Sequence, residues 1–320
     1  MWLAGALLVI VQYVLFTGFG SWASQSALQE RKATASTKPN FIFIITDDQD
    51  LHLQSLNYQP AVQKYFAEQG TFFGKHYCTV ALCCPSRVSL LTGRAAHNTN
   101  VTDVGGPYGG YNQFIKKGWN DNYLPVWLQQ AGYNTYYTGK LMNGHSTSTY
   151  NKPYPKGWDS WNYLLDPGTY LYYNSTTQRN QKVPQSNPTT YSTDIVASDA
   201  VGFLNDALSA DGPFFLGVAP IAPHSETVLA GDNAGFYAPV PATRHKNLYP
   251  GIKVPRTPSF NPDVASGGGF IKSLVKQSNK VVKYNDNFYR ARMQTLAAVD
   301  ELLDGIFDWL DAHPNVAENT

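Results

Sequence analysis

The sequence predicts an α/β layered fold with a largely parallel central sheet. Two short runs, Asn40 to Thr46 and Phe214 to Ala219, are apolar without alternation, as in strands buried on both faces of a parallel sheet. Other segments place apolar residues three and four apart, the mark of helices with one buried face. Strand and helix signals alternate along the chain, which points to a sheet flanked by helices. In such folds ligands gather at the carboxyl ends of the strands. The 320 residues are 43% apolar and 15% charged, enough for a sizeable core and incompatible with disorder, collagen or coiled coil. A net charge of +1 gives no basis for nucleic acid or a strongly acidic partner.

The elements follow in order. Trp2 to Phe16 is apolar apart from Gln12, and Ser21-Trp22-Ala23 supplies the small residues of a cleavage site, so 1–23 is expected to be a signal peptide. The rival is an uncleaved anchor, for which the apolar run is short. No other stretch could cross a bilayer, and no stable membrane association is expected. Residues 24–39 read as a flexible lead-in. Gln59 to Gln69 reads as a helix ended by Gly70, and Thr71 to Phe73 as a short strand. Pro85 to Leu91 opens as a helix with proline at its start. Leu124 to Ala131 is a helix stopped by Gly132, followed by a β-rich run from Tyr133 to Thr138. Asn151 to Pro188 is rich in Pro, Tyr, Asn and Ser and reads mostly as loop.

Tyr191 to Leu208 is an amphipathic helix with Val196, Ala200, Phe203, Leu204 and Ala207 inward. Ala222 to Gly269 is a long Pro/Gly-rich excursion of the kind that is usually functional. A last helix begins near Asp286, with Tyr289, Met293, Leu296, Val299, Leu303, Ile306 and Leu310 on one face. Asn100-Val101-Thr102 and Asn174-Ser175-Thr176 are glycosylation sequons consistent with export. The three cysteines, Cys78, Cys83 and Cys84, are too few for a disulfide scaffold. Taken alone they read as one disulfide plus a spare thiol, and they lack the second pair of a zinc knuckle.

Asp47-Asp48 follows the first strand. Adjacent carboxylates facing a crevice repel each other unless a cation joins them, and hard oxygen ligands favour Ca²⁺ or Mg²⁺; a solvated turn is the plainer alternative for an isolated pair. Downstream stands Cys83-Cys84-Pro85-Ser86-Arg87, then Leu91-Thr92-Gly93-Arg94. With these residues the chain resembles the sulfatase family, whose signature is Cys-x-Pro-Ser-Arg with a trailing Leu-Thr-Gly. The resemblance implies an alkaline-phosphatase-like fold and the hydrolysis of sulfate esters. It also implies that Cys83 is oxidised to formylglycine by a formylglycine-generating enzyme during export.

The chemistry fits. A thiolate is a poor partner for an anionic sulfate ester. A hydrated aldehyde carries two hydroxyls on one carbon: one attacks sulfur, and the other loses its proton and expels sulfate. A helix opening at Pro85 would favour an anion there by up to ~1 kcal/mol. Arg87 would hold the hydrate. Asp47, Asp48 and Cys83 would be the metal ligands, with Ca²⁺ the expected ion and Mg²⁺ the alternative.

Thr138-Gly139-Lys140 resembles the family's Gly-Lys, with Lys140 clamping a sulfate oxygen. Many members carry histidine two residues later; here Met142 stands there, leaving Asn143 or His145 to substitute. The Lys-Leu-Met-Asn pattern is similar to the glucosamine-6-sulfatase branch and its fungal arylsulfatase relatives. Pro223-His224 ends the Phe214 strand, and His224 would protonate the departing alcohol. His97, just past the motif helix, could face substrate. Arg292, Met293 and Asp300 resemble family positions on a helix read mainly as scaffold. Tyr108 to Tyr111 and Tyr170 to Tyr173 either line a pocket or cover the core.

The family's second metal pair, Asp-Asn-Gly, and second lysine have no match here. Residues 40–320 therefore read as the N-terminal portion of a sulfatase catalytic domain, incomplete and weakly active alone. The expected substrate is a sulfated small molecule or sugar, met in the secretory pathway, outside the cell or in a lysosome- or vacuole-like compartment. The competing functions are a phosphatase or phosphodiesterase of the same superfold and a degenerate sulfatase-like binder of sulfated glycans.

Overall fold

A computed structural model describes residues 38–320; the signal peptide expected at 1–23, and all but the last two residues of the expected 24–39 lead-in, lie outside the described residues. The centre is a six-stranded sheet in the order β1-β6-β2-β3-β4-β5. Its strands are β1 (Phe41–Ile44), β2 (Asn134–Lys140), β3 (Ser160–Leu164), β4 (Ser175–Arg179), β5 (Gln185–Asn187) and β6 (Phe214–Ala219). β1, β6, β2 and β3 run parallel, and β4 and β5 extend the sheet antiparallel. A separate hairpin pairs β7 (Glu226–Val228) with β8 (Gly235–Tyr237).

Side chains alternate across a strand, so the sheet feeds two cores. Tyr136, Leu216 and Val218 pack on one face against α3 (Ser192–Ser209) and α4 (Asn279–Asp311). Tyr137, Phe215 and Ala219 pack on the other against α1 (Cys83–Thr92) and the aromatic residues Tyr111, Phe114 and Tyr123. α2 (Leu124–Gln130) borders the second core, and Gly132 in the left-handed region stops it as predicted. The inward residues predicted for α3 and α4 are all buried. Among the described residues, no helix is long and apolar enough to cross a membrane.

Several expectations are corrected. β1 is not buried on both faces: its only partner among the described strands is β6, and Phe41 and Phe43 are 45% and 40% exposed. Thr71 to Phe73 forms no strand, because no neighbouring strand reaches it, and both phenylalanines stand in solvent. Asn151 to Pro188 is not mostly loop. It holds β3, β4 and β5, and polar pairs such as Thr176 with Ser186 hid the β signal. α4 starts at Asn279 rather than near Asp286, because Ser278 caps it by accepting from the Val281 amide. Its added first turns are exposed and carry no apolar period. All three thiols are free, so there is no disulfide.

Candidate active site

The first carboxylate is set by sheet pairing. The Ile45 amide donates to Val218 O at 2.9 Å and the Asp47 amide to Ala222 O at 3.1 Å, carrying the register of β1 and β6 past the strand end. Successive side chains in an extended chain point to opposite sides. Asp48 breaks that rule with φ 60°, the left-handed conformation that aspartate tolerates. Both carboxylates thereby face one point: Asp47 Oδ1 lies 3.8 Å and Asp48 Oδ1 4.0 Å from Cys83 Sγ.

Cys83 is the first residue of α1, two positions earlier than predicted, and Pro85 sits within the first turn, where a missing amide proton costs nothing. No side chain caps this end. Arg87, one turn along, projects on the same side as Cys83. Its guanidinium donates to the Lys140 carbonyl and lies 3.8 Å from Asp47 Oδ2. Gly93 in the left-handed region closes the helix.

Lys140 ends the central strand β2. Gly139 before it has φ 103°, and a Cβ there would lie 2.1 Å from Ala219 O. Only glycine lets β2 approach β6 so closely, which brings Lys140 beside the turn that follows β6. Lys140 is fully buried and its ammonium forms an ion pair with Asp47 Oδ2. In that turn the His224 amide donates to Ile221 O at 2.8 Å. The His224 ring holds Ser225 O at 2.7 Å through Nδ1 and points Nε2 at Asp48 Oδ2, 3.4 Å away. A carbonyl can only accept, so Nδ1 carries hydrogen and Nε2 is the nitrogen offered to the crevice.

Charges compensate one another here. Burial opposes ionisation of Asp47, but Lys140 and Arg87, with His224 beyond them, outweigh it and hold the carboxyl below its usual range. Burial likewise works against the Lys140 charge, and Asp47 reverses the balance, raising its pKa. Burial raises the Cys83 thiol, with Asp47 and Asp48 adding to it against Lys140. An unmodified Cys83 is therefore a protonated thiol, a weak nucleophile.

One ligand atom each from Asp47, Cys83 and His224 lies within 4.8 Å of the others. The Cys83 sulfur occupies the place where an oxidised residue 83 would present oxygen. With that oxygen, and the Asp47 and Asp48 carboxylates facing it, the oxygen donors suit a hard ion such as Ca²⁺, while His224 adds a nitrogen to the grouping. Asp47, Asp48 and residue 83 supply fewer than the usual six to eight oxygens.

The structure thus brings together six of the residues singled out from the sequence: Asp47, Asp48, Cys83, Arg87, Lys140 and His224. It does not bring His145. That ring is fully buried against Tyr111 and Tyr163, at 4.5 and 5.0 Å between centroids, and burial pushes its pKa down to about 3. Met142 is a core residue, and His97 is exposed on a short helix, Ala96–Thr99, away from the contacts above. Asn143 donates to the Tyr170 hydroxyl at 2.5 Å. Sequence reasoning missed two participants. Arg292 leaves the scaffold to bind Asp48 O at 2.5 Å and Pro223 O at 3.2 Å, tying the two site loops together. Tyr170 is buried against both Lys140 and His224. The only signal for it was a tyrosine cluster, which equally suits a core.

The Sulfatase family model matches residues 39–320. The chain belongs to the sulfatase family. This sulfatase is 38% identical over 302 residues to an arylsulfatase of Volvox carteri, covering 90% of the chain and 46% of the relative. It is 29% identical over 286 residues to the N-acetylglucosamine-6-sulfatase of Homo sapiens, covering 87% and 49%. It thus spans about half the length of these curated relatives. Among solved structures it resembles a protein determined with its substrate D-glucosamine-2-N,6-O-disulfate, with TM-score 0.63, 21% identity and coverage of 86% and 63%. That likeness speaks to the fold, which is the alkaline-phosphatase-like one expected from the sequence.

Proposed function

We propose that this sulfatase hydrolyses sulfate esters of the aryl or N-acetylglucosamine 6-sulfate type, using residue 83 as nucleophile after its oxidation to formylglycine. One observation carries the reading: three strand ends and one helix start converge Asp47, Cys83 and His224 to within 4.8 Å, with Lys140 paired to Asp47. Asp47, Asp48 and residue 83 would hold Ca²⁺, or Mg²⁺ as the alternative, which when bound neutralises sulfate charge. As the aldehyde hydrate, residue 83 supplies one hydroxyl to attack sulfur and a second to expel sulfate.

The remaining work falls to ordinary side chains. Lys140 stabilises charge on a sulfate oxygen from a site that excludes water. In its imidazolium form His224 gives the proton on Nε2 to the departing alcohol, while Ser225 O accepts from Nδ1–H and fixes the ring. Arg87 holds the hydrate at residue 83, neutralises negative charge there and, through the Lys140 carbonyl, holds that strand end in place. Oxidation of Cys83 by a formylglycine-generating enzyme accords with entry into the secretory pathway through the 1–23 signal, with glycans at Asn100 and Asn174, both exposed. The mature protein then acts outside the cell or in a lysosome- or vacuole-like compartment.

The test is mass spectrometry of the peptide over residue 83, together with turnover of 4-nitrophenyl sulfate by full-length protein co-produced with the oxidising enzyme. The aldehyde and turnover should appear together, and turnover with the thiol intact would overturn the reading. With so few metal ligands, residues 24–320 alone should turn over weakly; robust activity would refute that part.

A further inference from the structure

Tyr170 lies in the loop joining β3 to β4, where sequence alone leaves it as a cover for the core. Its surroundings are more specific than that. It is 3% exposed, and its ring lies under the Lys140 ammonium, with Nζ 4.6 Å from the centroid. The same ring packs on the His224 imidazole, centroids 4.7 Å apart and planes 33° apart. Its hydroxyl accepts from Asn143 Nδ2 at 2.5 Å, and its carbonyl receives the Thr227 amide at 3.4 Å. Two residues on, Tyr172 donates its hydroxyl to His224 O at 2.8 Å, so this loop grips both the ring and the backbone of that histidine.

We infer that Tyr170 is a positioning residue: its ring sets the Lys140 ammonium and the His224 imidazole relative to one another, and Asn143 locks the ring in place. The inference rests on the sulfatase reading and extends it. An ammonium over an aromatic face is attracted by the ring quadrupole, and more strongly where water is excluded. An imidazole lying on the same ring cannot rotate about its plane without losing that contact. The Tyr170 ring therefore fixes the clamp and the proton donor together. It also gives Asn143 a role. Its Nδ2 donates to the Tyr170 hydroxyl, so it acts through Tyr170.

The experiment uses the full-length protein carrying equal aldehyde at residue 83, with Tyr170→Leu and Tyr170→Phe as variants. General acid catalysis contributes typically 10²–10⁴-fold and matters most for a poor leaving group. Tyr170→Leu should lower kcat about 30-fold on N-acetylglucosamine 6-sulfate and only about 3-fold on 4-nitrophenyl sulfate, with KM within about twofold, a fraction of the general-acid contribution. Tyr170→Phe keeps the ring and should stay within about 3-fold of the parent on both esters.

Ring-current shifts of the His224 protons give a readout free of turnover, present in the parent and Tyr170→Phe and lost in Tyr170→Leu. Should Tyr170→Leu not fold, Asn143→Ala releases the ring without deleting it and should show the same leaving-group bias at smaller size. Equal losses on both esters, a change confined to KM, or unshifted His224 protons in the parent would overturn the inference. A parent inactive on both esters with the ring shifts intact would overturn the sulfatase reading while supporting the placement.

Discussion

Two clusters in this molecule use the same residue types. At the crevice stand Asp47, Asp48, Arg87, Lys140 and His224; on the surface stand Asp194, Glu301, Arg244 and His245. In the surface cluster Arg244 holds Asp194 at 2.6 and 3.0 Å and Glu301 at 2.5 and 2.7 Å, and His245 Nε2 lies 2.9 Å from Glu301. Every charge there is closed by a neighbour, and the charged groups of Arg244, Asp194 and Glu301 are 38–47% exposed. In the crevice the cations are buried, and one oxygen each of Asp47 and Asp48 is left facing residue 83 while Lys140 and His224 hold the others. Composition alone does not make a site. Burial combined with polar groups aimed at a shared point does.

The sharpest break between the two clusters is chemical. Cys83→Ala in the full-length protein should abolish turnover of 4-nitrophenyl sulfate, by roughly 10³-fold or more, as loss of a nucleophile does. The next is energetic. Lys140→Met leaves the Asp47 carboxylate buried with only Arg87 at 3.8 Å, and should cost about 3 kcal/mol in denaturant unfolding, the lower end for a broken buried pair.

This pair also gives the parent a pH signature. Asp47 titrates below its ordinary 3.8 and Lys140 above its ordinary 10.5. The Asp47 contribution is present above the unfolded value and lost as pH falls through the depressed one. The Lys140 contribution is complete below 10.5 and lost as pH rises through the elevated value. Metal-free protein should therefore lose stability at both extremes, and Lys140→Met should flatten the alkaline limb of unfolding free energy against pH.

A smaller effect follows from backbone fit. Gly139→Ala forces a Cβ against Ala219 O at positive φ and should cost about 1–3 kcal/mol in the same assay. Smallest of all, Arg244→Ala opens a half-exposed network and should cost no more than about 1 kcal/mol while leaving turnover unchanged. A large loss of activity there would erase the contrast between the two clusters.

The sequence displayed what depends on apolar order and on fixed motifs. β6 was legible to the residue, because six consecutive buried positions leave no alternation to confuse. Cys83, Lys140 and His224 were singled out by the resemblance of their motifs to those of the sulfatase family, and the fold gathers them at strand ends and a helix start. What was not legible depends on partners far along the chain. β4 and β5 are polar, so only their pairing identifies them as strands. β1 is as apolar as β6, but its exposure is decided by its position in the strand order. Tyr170 belongs to no periodic pattern, and its meaning comes from Lys140 and His224, which lie far from it in the chain and meet it only after folding.

Asp48 has a consequence for how this sequence can drift. One inverted torsion, rather than a separate segment, aims the second acid at residue 83. A single inserted residue between 47 and 48 would swing one acid away from residue 83. A β-branched side chain at 48 would fail twice, losing the oxygen and resisting the bend.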